Sequence, residues 1–544
     1  MLKRYLLPHL AIAIVATSLS ASAQDRTATD AQILHALQRL TFGPRPGDIE
    51  TVRKTGLQNW IQAQLHPEAI AENPTLEERL KPLASLRMNL VDSMSNPVGR
   101  YSVSGLVVLQ SGNGVLQVVP PLATASPVAL ELINPAGNIQ IVAGASTMKP
   151  SRTPEMDLKD GKLLRAVYSN RQLEEVLVDF WFNHFNVTAA KGGPYVADYE
   201  REAIRPNVLG KFKDMLVATA LHPAMLQYLD NKGSIAPEIA QPNGPNMTIS
   251  FASARGLNEN FSRELMELHT LGVDGGYTQK DVEAAARCFT GWNLVQTQAS
   301  AVARLDAKVA VEFVQWPHDP KDKVVLGHTI PGAGADEVYE LLDILASHPS
   351  TARHISLQLA QRFVSDNPPQ SLVDRMAKTF RDTDGDLREV MTTMLTSPEF
   401  LSEDTQQSKI KSPFELVSSA VRALNGEIQN PAPLEQWIAD MGQPLYGKIE
   451  PTGYPNTGET WLNTARLLVR LNFASTLAAG KVSGVTIDTN RWNGKDTPAI
   501  ARDLLGRPLS AQTIEALQNG NVAGIVTPAY IGGLLLGSPE FQKK

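Results

Sequence analysis

The chain has 544 residues, of which 43% are hydrophobic and 19% are charged, and its formal net charge is −6. This composition is that of a globular protein and excludes a largely disordered one. The length allows several domains or one large helical body. Because the chain is acidic and has no long basic run after its N-terminus, we expect no nucleic-acid partner.

The first predicted element is a signal peptide over residues 1–23. Lys3 and Arg4 form a basic region, residues 6–19 are apolar, and Ala21-Ser22-Ala23 supplies the small residues of a cleavage site. The apolar stretch is too short to span the ~30 Å hydrocarbon core of a bilayer comfortably, which argues against a permanent anchor. We therefore expect a periplasmic or secreted protein with no stable membrane insertion after the signal is removed.

Helical periodicity predicts a mainly α protein with one large multi-helix body over residues 24–544. Residues 101–148 interrupt it, because no basic residue lies between Arg100 and Lys149 and Val, Ser, Gly and Pro dominate. We predict a small β-rich or irregular insertion there, either a surface loop or a lid or contact surface. Helices are predicted over 29–41, 47–65, 163–187, 197–205, 207–220, 222–230, 258–271, 279–290, 335–347, 349–365, 370–381, 386–396, 413–424 and 458–478, and strands over 309–313 and 324–330.

An acidic helix is predicted at residues 258–271. Asn260, Arg263, Glu264 and Glu267 follow the spacing i, i+3, i+4, i+7, which brings them to one helical face. Paired carboxylates can act as acid and base when their pKa values differ, and they can bind a metal ion. The alternative is a buried salt-bridge network in which Arg263 compensates the two glutamates.

An aromatic segment occurs earlier in the chain, at residues 179–186, with the sequence Asp-Phe-Trp-Phe-Asn-His-Phe-Asn. Trp181 and His184 share a helical face at i, i+3. One interpretation is a pocket wall that holds a histidine able to titrate near neutral pH. The other is a core histidine that is hydrogen-bonded to a neighbouring helix.

Further candidate residues lie downstream of the acidic helix. His318, in Trp316-Pro317-His318-Asp319, offers a second histidine, and Arg287 and Trp292 end the helix that follows the acidic one. A divalent metal is the one cofactor that these groups suggest. The residues considered as its ligands are His184, Glu264, Glu267 and His318.

Several stretches of the chain resemble an exported bacterial family catalogued as domain of unknown function 1800. The matching stretches are Leu40–Pro44, Trp181–Phe185, Pro223–Asp230, Asn258–Val273, Thr290–Trp292, His318-Asp319 with Leu326-Gly327, and Met441–Tyr446. They follow in order over residues 32–480, with one departure at Gly453-Tyr454, where members tend to have Gly-Trp. The resemblance implies export, a helical fold, no defined reaction and, as partner, a second exported protein encoded nearby.

Two hypotheses for the function remain open. In the first, the protein is a hydrolase that acts on an extracellular polymer or glycan, and it depends on a metal or on its carboxylates alone. Its catalytic residues would be Glu264, Glu267, His184 and Arg263, and its substrate-binding residues Trp181, Asn183, Asn260, Arg287 and Trp292. In the second, the protein is a non-catalytic secreted scaffold or binding protein that works with an exported partner.

Overall fold

A computed structural model describes residues 28–88, 152–239, 256–294, 311–519 and 527–544, together with the backbone of four short strands between residues 106 and 142. Most of the described residues are helical, which confirms the prediction of a mainly α protein. The predicted signal peptide lies outside the described residues.

The longer helices run in chain order and are labelled α1 to α20. They are α1 (Asp30–Leu40), α2 (Asp48–Thr55), α3 (Leu57–Leu65), α4 (Pro74–Leu80), α5 (Pro154–Tyr168), α6 (Gln172–His184), α7 (Phe212–Ala220), α8 (Pro223–Tyr228), α9 (Glu259–Glu264), α10 (Gln279–Cys288), α11 (Asp336–Ser347), α12 (Pro349–Phe363), α13 (Gln370–Asp382), α14 (Leu387–Leu395), α15 (Pro413–Ala423), α16 (Ala432–Asp440), α17 (Thr464–Ala478), α18 (Thr497–Leu505), α19 (Ala511–Asn519) and α20 (Pro528–Gly537).

Shorter helical turns connect them. Single α turns span Ala189–Gly192, Val196–Asp198 and Pro539–Gln542, and π-helical segments span Tyr199–Ile204 and Leu265–Thr270. The 3₁₀ turns are Pro67–Ala69, Ala84–Leu86, Gly193–Tyr195, Arg205–Asn207, Pro237–Ile239, Glu403–Thr405, Glu459–Trp461 and Thr489–Trp492.

The strands form antiparallel pairs. These are β1 (Leu106–Leu109) with β2 (Leu116–Val119), β3 (Ala129–Leu130) with β4 (Ile141–Val142), β5 (Trp292–Leu294) with β6 (Val311–Phe313), β7 (Lys323–Val325) with β8 (His328–Ile330), and β9 (Glu427–Ile428) with β10 (Val485–Thr486). The first two pairs lie in the insertion predicted at 101–148. The β7–β8 hairpin turns through Leu326 (φ 51°) and Gly327 (φ 80°), as a two-residue hairpin turn requires.

Helix ends follow local chemistry where the cap residues are decisive. Thr278 and Asp281 form the predicted capping box of α10, and Asp386 caps α14. At two places the predicted boundaries are wrong. Gly56, with φ 87°, separates α2 from α3, and residues 169–171 separate α5 from α6 within the predicted helix 163–187.

One contiguous hydrophobic core joins the helices from Ile33 in α1 to Phe541 near the end of the chain. Cys288 is fully buried in it, as expected of a small apolar side chain. Helix α15 lies deep in this core, with Phe414 and Val417 fully enclosed. Within the described part of the chain, no helix has both the length and the apolar character needed to cross a bilayer.

Candidate functional site

The main candidate site is a cleft between α5, α6, α12, α15 and the segment of residues 443–456, here called the wall segment. The cleft has a cavity volume of about 60 Å³. Its charged lining residues are Lys162, Asp179, Arg362, Lys409, Glu415, Lys448 and Lys544. Aromatic rings and amides complete the surface, so the cleft is suited to a polar ligand.

Positively and negatively charged side chains alternate along the cleft. Lys162 Nζ lies 2.8 Å from Asp179 Oδ1, and Asp179 Oδ2 lies 3.5 Å from Arg362 Nη2. Arg362 also pairs with Glu415, and Glu415 pairs in turn with Lys544. These side chains come from four helices and the C-terminal residues, so only the tertiary fold brings them together.

Glu415 is held in place by its own helix as well as by the cations. It is the third residue of α15, and its carboxylate accepts a hydrogen bond from the Ser412 backbone N–H at 2.9 Å in a capping box. Burial opposes its ionisation, but the charges of Arg362 and Lys544 outweigh that cost and lower its pKa far below the usual range. Glu415 is therefore a permanent anion.

Cationic side chains outnumber acidic side chains around this carboxylate. The buried cations whose charges act on Glu415 are Arg39, Arg362, Lys409, Lys411, Arg470 and Lys544. The carboxylates that pair with this group are Asp179, Asp366 and Glu415. We call these nine residues, with Lys162, the Glu415 cluster.

The pKa values of two cationic residues of the cluster reflect burial and the presence of other cations. Burial, with further repulsion from Arg507 and Arg470, lowers the pKa of Lys411 to about 7. Burial also lowers the pKa of Arg39 to about 9, and the Nε and Nη1 atoms of Arg39 are buried without a hydrogen-bond partner among the described residues. Buried charges are costly unless they are paired, so the cluster is one that a further anion would stabilise.

Two asparagines of the aromatic segment hold the wall segment against the cleft. Asn183 donates to the Tyr454 carbonyl at 2.8 Å and accepts from the Tyr454 N–H at 2.7 Å. Asn186 donates to the Lys448 carbonyl at 3.1 Å and the Glu450 carbonyl at 2.8 Å. These amides satisfy backbone groups of an irregular segment, so they are positioning residues of the cleft.

Gly453 and Tyr446 show how closely the wall segment is fitted. A Cβ atom on Gly453 (φ 66°) would lie 2.3 Å from the Asn183 carbonyl oxygen, so only glycine fits there. Tyr446 has φ 55°, a strain of about 1 kcal/mol for a residue with a side chain. Its hydroxyl donates to the buried Glu200, and its ring lies 5.0 Å from Lys162 Nζ. Tyr446 therefore fixes one wall of the cleft beside Lys162.

The other residues predicted from the aromatic segment point away from the cleft. Trp181 is fully buried, stacked at 6.0 Å on Phe185. His184 donates from Nε2 to the His269 carbonyl at 3.1 Å, and burial together with the nearby His354 and His269 lowers its pKa far below 6.5. Of this segment, Asn183 lines the cleft, whereas Trp181 and His184 belong to a neighbouring group of aromatic rings.

The acidic helix changes geometry at its centre. It is α-helical as far as Glu264 and π-helical from Leu265 to Thr270. Arg263 donates to Gln279 at 2.7 Å and approaches Glu259 at 4.0 Å, and Asn260 is exposed. The alternative in which Arg263 pairs with Glu264 and Glu267 in a buried network is therefore wrong.

The two glutamates of this helix are partly exposed. Glu267 accepts a hydrogen bond from the Tyr277 hydroxyl at 3.2 Å. Burial and the charge of Glu267 raise the pKa of Glu264. Neither residue lines the cleft.

Arg287 and His318 lie in a second polar group, whose charged side chains pair with one another. His318 donates from Nε2 to Glu337 at 2.9 Å, Lys323 also pairs with Glu337, and Arg287 pairs with Asp319. Glu337 in addition accepts the Ala333 and Gly334 N–H groups at 2.9 and 3.0 Å. We call Arg287, His318, Asp319, Lys323 and Glu337 the Glu337 cluster. Trp292 is buried beside it, with its ring centre 5.6 Å from that of Phe313.

The four residues considered as metal ligands are not brought together. His318 is committed to Glu337, whereas His184 binds a backbone carbonyl and the two glutamates lie at a partly exposed helix. In the described ranges, no group of three or more His, Cys, Asp or Glu side chains is arranged to hold a metal ion.

Sequence reasoning missed most of the cleft. Asp179, Asn183 and Asn186 follow the spacing i, i+4, i+7, which is a helical face as regular as that of Trp181 and His184. That spacing is the one signal that could have indicated the cleft. The capping-box role of Glu415 conceals its second role, since a glutamate at that position is expected for helix capping alone.

Comparison with known proteins identifies the chain by sequence alone. No curated protein and no solved structure matches it. The sequence model of one family, described as Protein of unknown function (DUF1800), matches residues 35–543, which include every lining residue of the cleft except Lys544. The chain therefore belongs to that family.

Proposed function

We propose that this is an exported binding protein whose cleft holds an anionic ligand. One observation carries the proposal: the buried cations around Glu415 outnumber the carboxylates that pair with them, and several of these charges line an open cleft. A carboxylate, sulfate or phosphate group placed there would pair with cations that are already desolvated and held in position. Such preorganised charges bind an anion more strongly than mobile surface charges do.

The carboxylates of the cleft support binding rather than acid–base catalysis. Glu415 is a permanent anion, because the nearby cations lower its pKa despite burial. A general acid needs a pKa close to the working pH, and Glu415 does not meet that requirement. The aromatic rings and amides beside the cations are consistent with an acidic sugar, in line with the expectation of an extracellular glycan.

Calorimetric titration at constant ionic strength tests the proposal. We expect inorganic phosphate, sulfate or galacturonate to bind, and neutral galactose to bind at least about tenfold more weakly. Lys448→Gln, at the mouth of the cleft, should weaken binding by about threefold, whereas Lys54→Gln on α2 should leave it unchanged. The absence of binding by all three anions, or equal binding by the Lys448 variant, would contradict the proposal.

A second candidate function, hydrolysis of a polymer or glycan, has one observation in its favour. The pKa of Glu264 is raised by burial and by Glu267, three residues away, which is the separation of environments that an acid–base pair needs. Release of reducing ends from acidic polysaccharides would be measured for the wild type, Glu264→Gln and Glu267→Gln. Glu283→Gln on the exposed side of α10 is the control, and activity that survives both changes contradicts this candidate.

A further inference from the structure

A second, chemically different cavity lies near the C-terminus, between α18 and α19. This groove has a volume of about 600 Å³, within the range of ~300–1,000 Å³ that small-molecule sites show. Its apolar lining residues are Pro498, Ala501, Pro508, Leu509, Ile514 and Leu517. It shares no lining residue with the cleft of the Glu415 cluster.

The groove is formed where the chain reverses direction after α18. Gly506 adopts φ 64° as the C-cap of α18, and a Cβ there would meet Ile49 at 2.9 Å. The chain then crosses through Pro508 and Leu509 into α19. Ile514 on α19 lines the groove and is 42% exposed.

The groove carries positive charge without a matching carboxylate. Arg502 and Arg507 are its charged lining residues. Arg507 Nε is buried and has no hydrogen-bond partner in the described ranges, and its Nη2 makes one long contact, 3.4 Å, with Gln38 Oε1. Glu540 is the carboxylate whose charge acts on Arg507, but Ser510 and Thr513 already occupy its oxygens. An anion held in the groove would lie beside these two guanidinium groups.

We propose that this groove binds a linear amphiphile with a single carboxylate, a ligand of the fatty-acid class. The carboxylate would accept from Arg507, and the hydrocarbon chain would cover Leu509, Ile514 and Leu517. The apolar walls exclude the hydrophilic ligand proposed for the cleft, and the two arginines distinguish a carboxylate from a neutral apolar molecule. This inference does not rest on the proposed function, because the two cavities share no lining residue, although the charge of Arg507 also acts on Lys411 of the Glu415 cluster.

Fluorescence displacement with dodecanoate, below its micelle concentration, tests the inference. We expect saturable binding with one molecule per chain, and binding of dodecan-1-ol that is about tenfold weaker because the alcohol lacks the charge. Arg507→Gln should bring dodecanoate to the affinity of the alcohol, and Arg507→Lys should retain most of the preference. Ile514→Arg should abolish binding of both compounds by filling the groove.

Two controls keep the result interpretable. Ile449→Arg changes an isoleucine that is 73% exposed in the wall segment, and it should leave dodecanoate binding unchanged. Thermal unfolding of each variant, followed by circular dichroism, shows whether it folds, and a variant that fails to fold is replaced by Leu509→Gln. Non-saturable binding, equal affinity for acid and alcohol, or binding that survives Ile514→Arg in a folded protein would overturn the inference.

Discussion

The Glu415 and Glu337 clusters both bury a glutamate among cations, yet they are built differently. Glu337 accepts from His318, Lys323 and two backbone N–H groups, so its two oxygens are fully used, and the two carboxylates of the cluster match its arginine and its lysine in number. Glu415 is surrounded by more cations than carboxylates, and some of those cations line an open cleft. The balance of charge, more than burial itself, separates a structural ion network from a site prepared for a ligand.

The largest effect is expected from Glu415→Gln. Removal of this carboxylate leaves Arg362 and Lys544 without their anion in a buried environment, at a cost of about 5 kcal/mol in the free energy of unfolding. If the cluster is an anion site, sulfate at high concentration should restore part of the loss by replacing the missing charge. Urea unfolding with sulfate, and with chloride at equal ionic strength, measures both effects. If Glu415→Gln has the same free energy of unfolding in sulfate and in chloride, the difference drawn between the two clusters is contradicted.

Glu337→Gln is expected to cost about 3 kcal/mol, because Lys323 and His318 lose their charged acceptor in a closed network. Here sulfate should give no recovery beyond that of the wild type, since the cluster has no surplus of cations. Glu340→Gln, an exposed position on the same helix α11, is the matched control and should be neutral. Specific rescue of Glu337→Gln by sulfate would remove the distinction between the clusters.

Gly453→Ala tests the wall segment, which belongs to the cleft of the Glu415 cluster and not to the Glu337 cluster. The added Cβ would clash with the Asn183 carbonyl oxygen, which we expect to cost about 2 kcal/mol and to weaken anion binding in the cleft. Gly494→Ala is the control, because Gly494 has a similar φ of 76° but has open space around its Cα. If thermal unfolding of the two variants is equally affected, the wall segment is less constrained than its contacts indicate.

The effect that is smallest per step is a slope of stability with pH, which we expect from the Glu415 cluster. Burial lowers the pKa of Lys411 from 10.5 in the unfolded chain to about 7, so between these values the unfolded chain binds more protons. Stability should rise from pH 7 to 10 by at most about 1.4 kcal/mol per pH unit, and the full cost of the buried charge is present below pH 7. Lys411→Met should reduce this rise, which urea unfolding at several pH values measures, and the remainder comes from Lys409 and Lys544, whose pKa values are also lowered by burial. The exposed Lys378→Met should keep the whole slope, and an unchanged slope in Lys411→Met would contradict the assignment.

Prediction from sequence succeeded where local patterns decide the outcome. The mainly α fold follows from apolar periodicity, and the start of α10 follows from Thr278 and Asp281, because a cap depends only on residues a few positions apart. The break at Gly56 and the π-helical segment after Glu264 escaped prediction. At both places the helical pattern of side chains continues while the backbone changes its conformation.

The candidate site divides in the same way. Asn183 was among the predicted residues and does line the cleft, because it belongs to a compact and distinctive motif. Lys162, Arg362, Glu415 and Lys544 were not predicted, since each is an ordinary residue in its own helix or terminus. The roles predicted for Glu264, Glu267 and His184 remain predictions, and these residues lie outside the cleft.

The sequence by itself determined the helical character, the core positions and the principal helix caps, because those depend on side chains that are close along the chain. Only the tertiary structure decided which charges meet. Electrostatic energy depends on distance and on the exclusion of water, and both arise when helices far apart in sequence pack together. A lysine at 162, an arginine at 362 and a glutamate at 415 form one cluster for that reason alone.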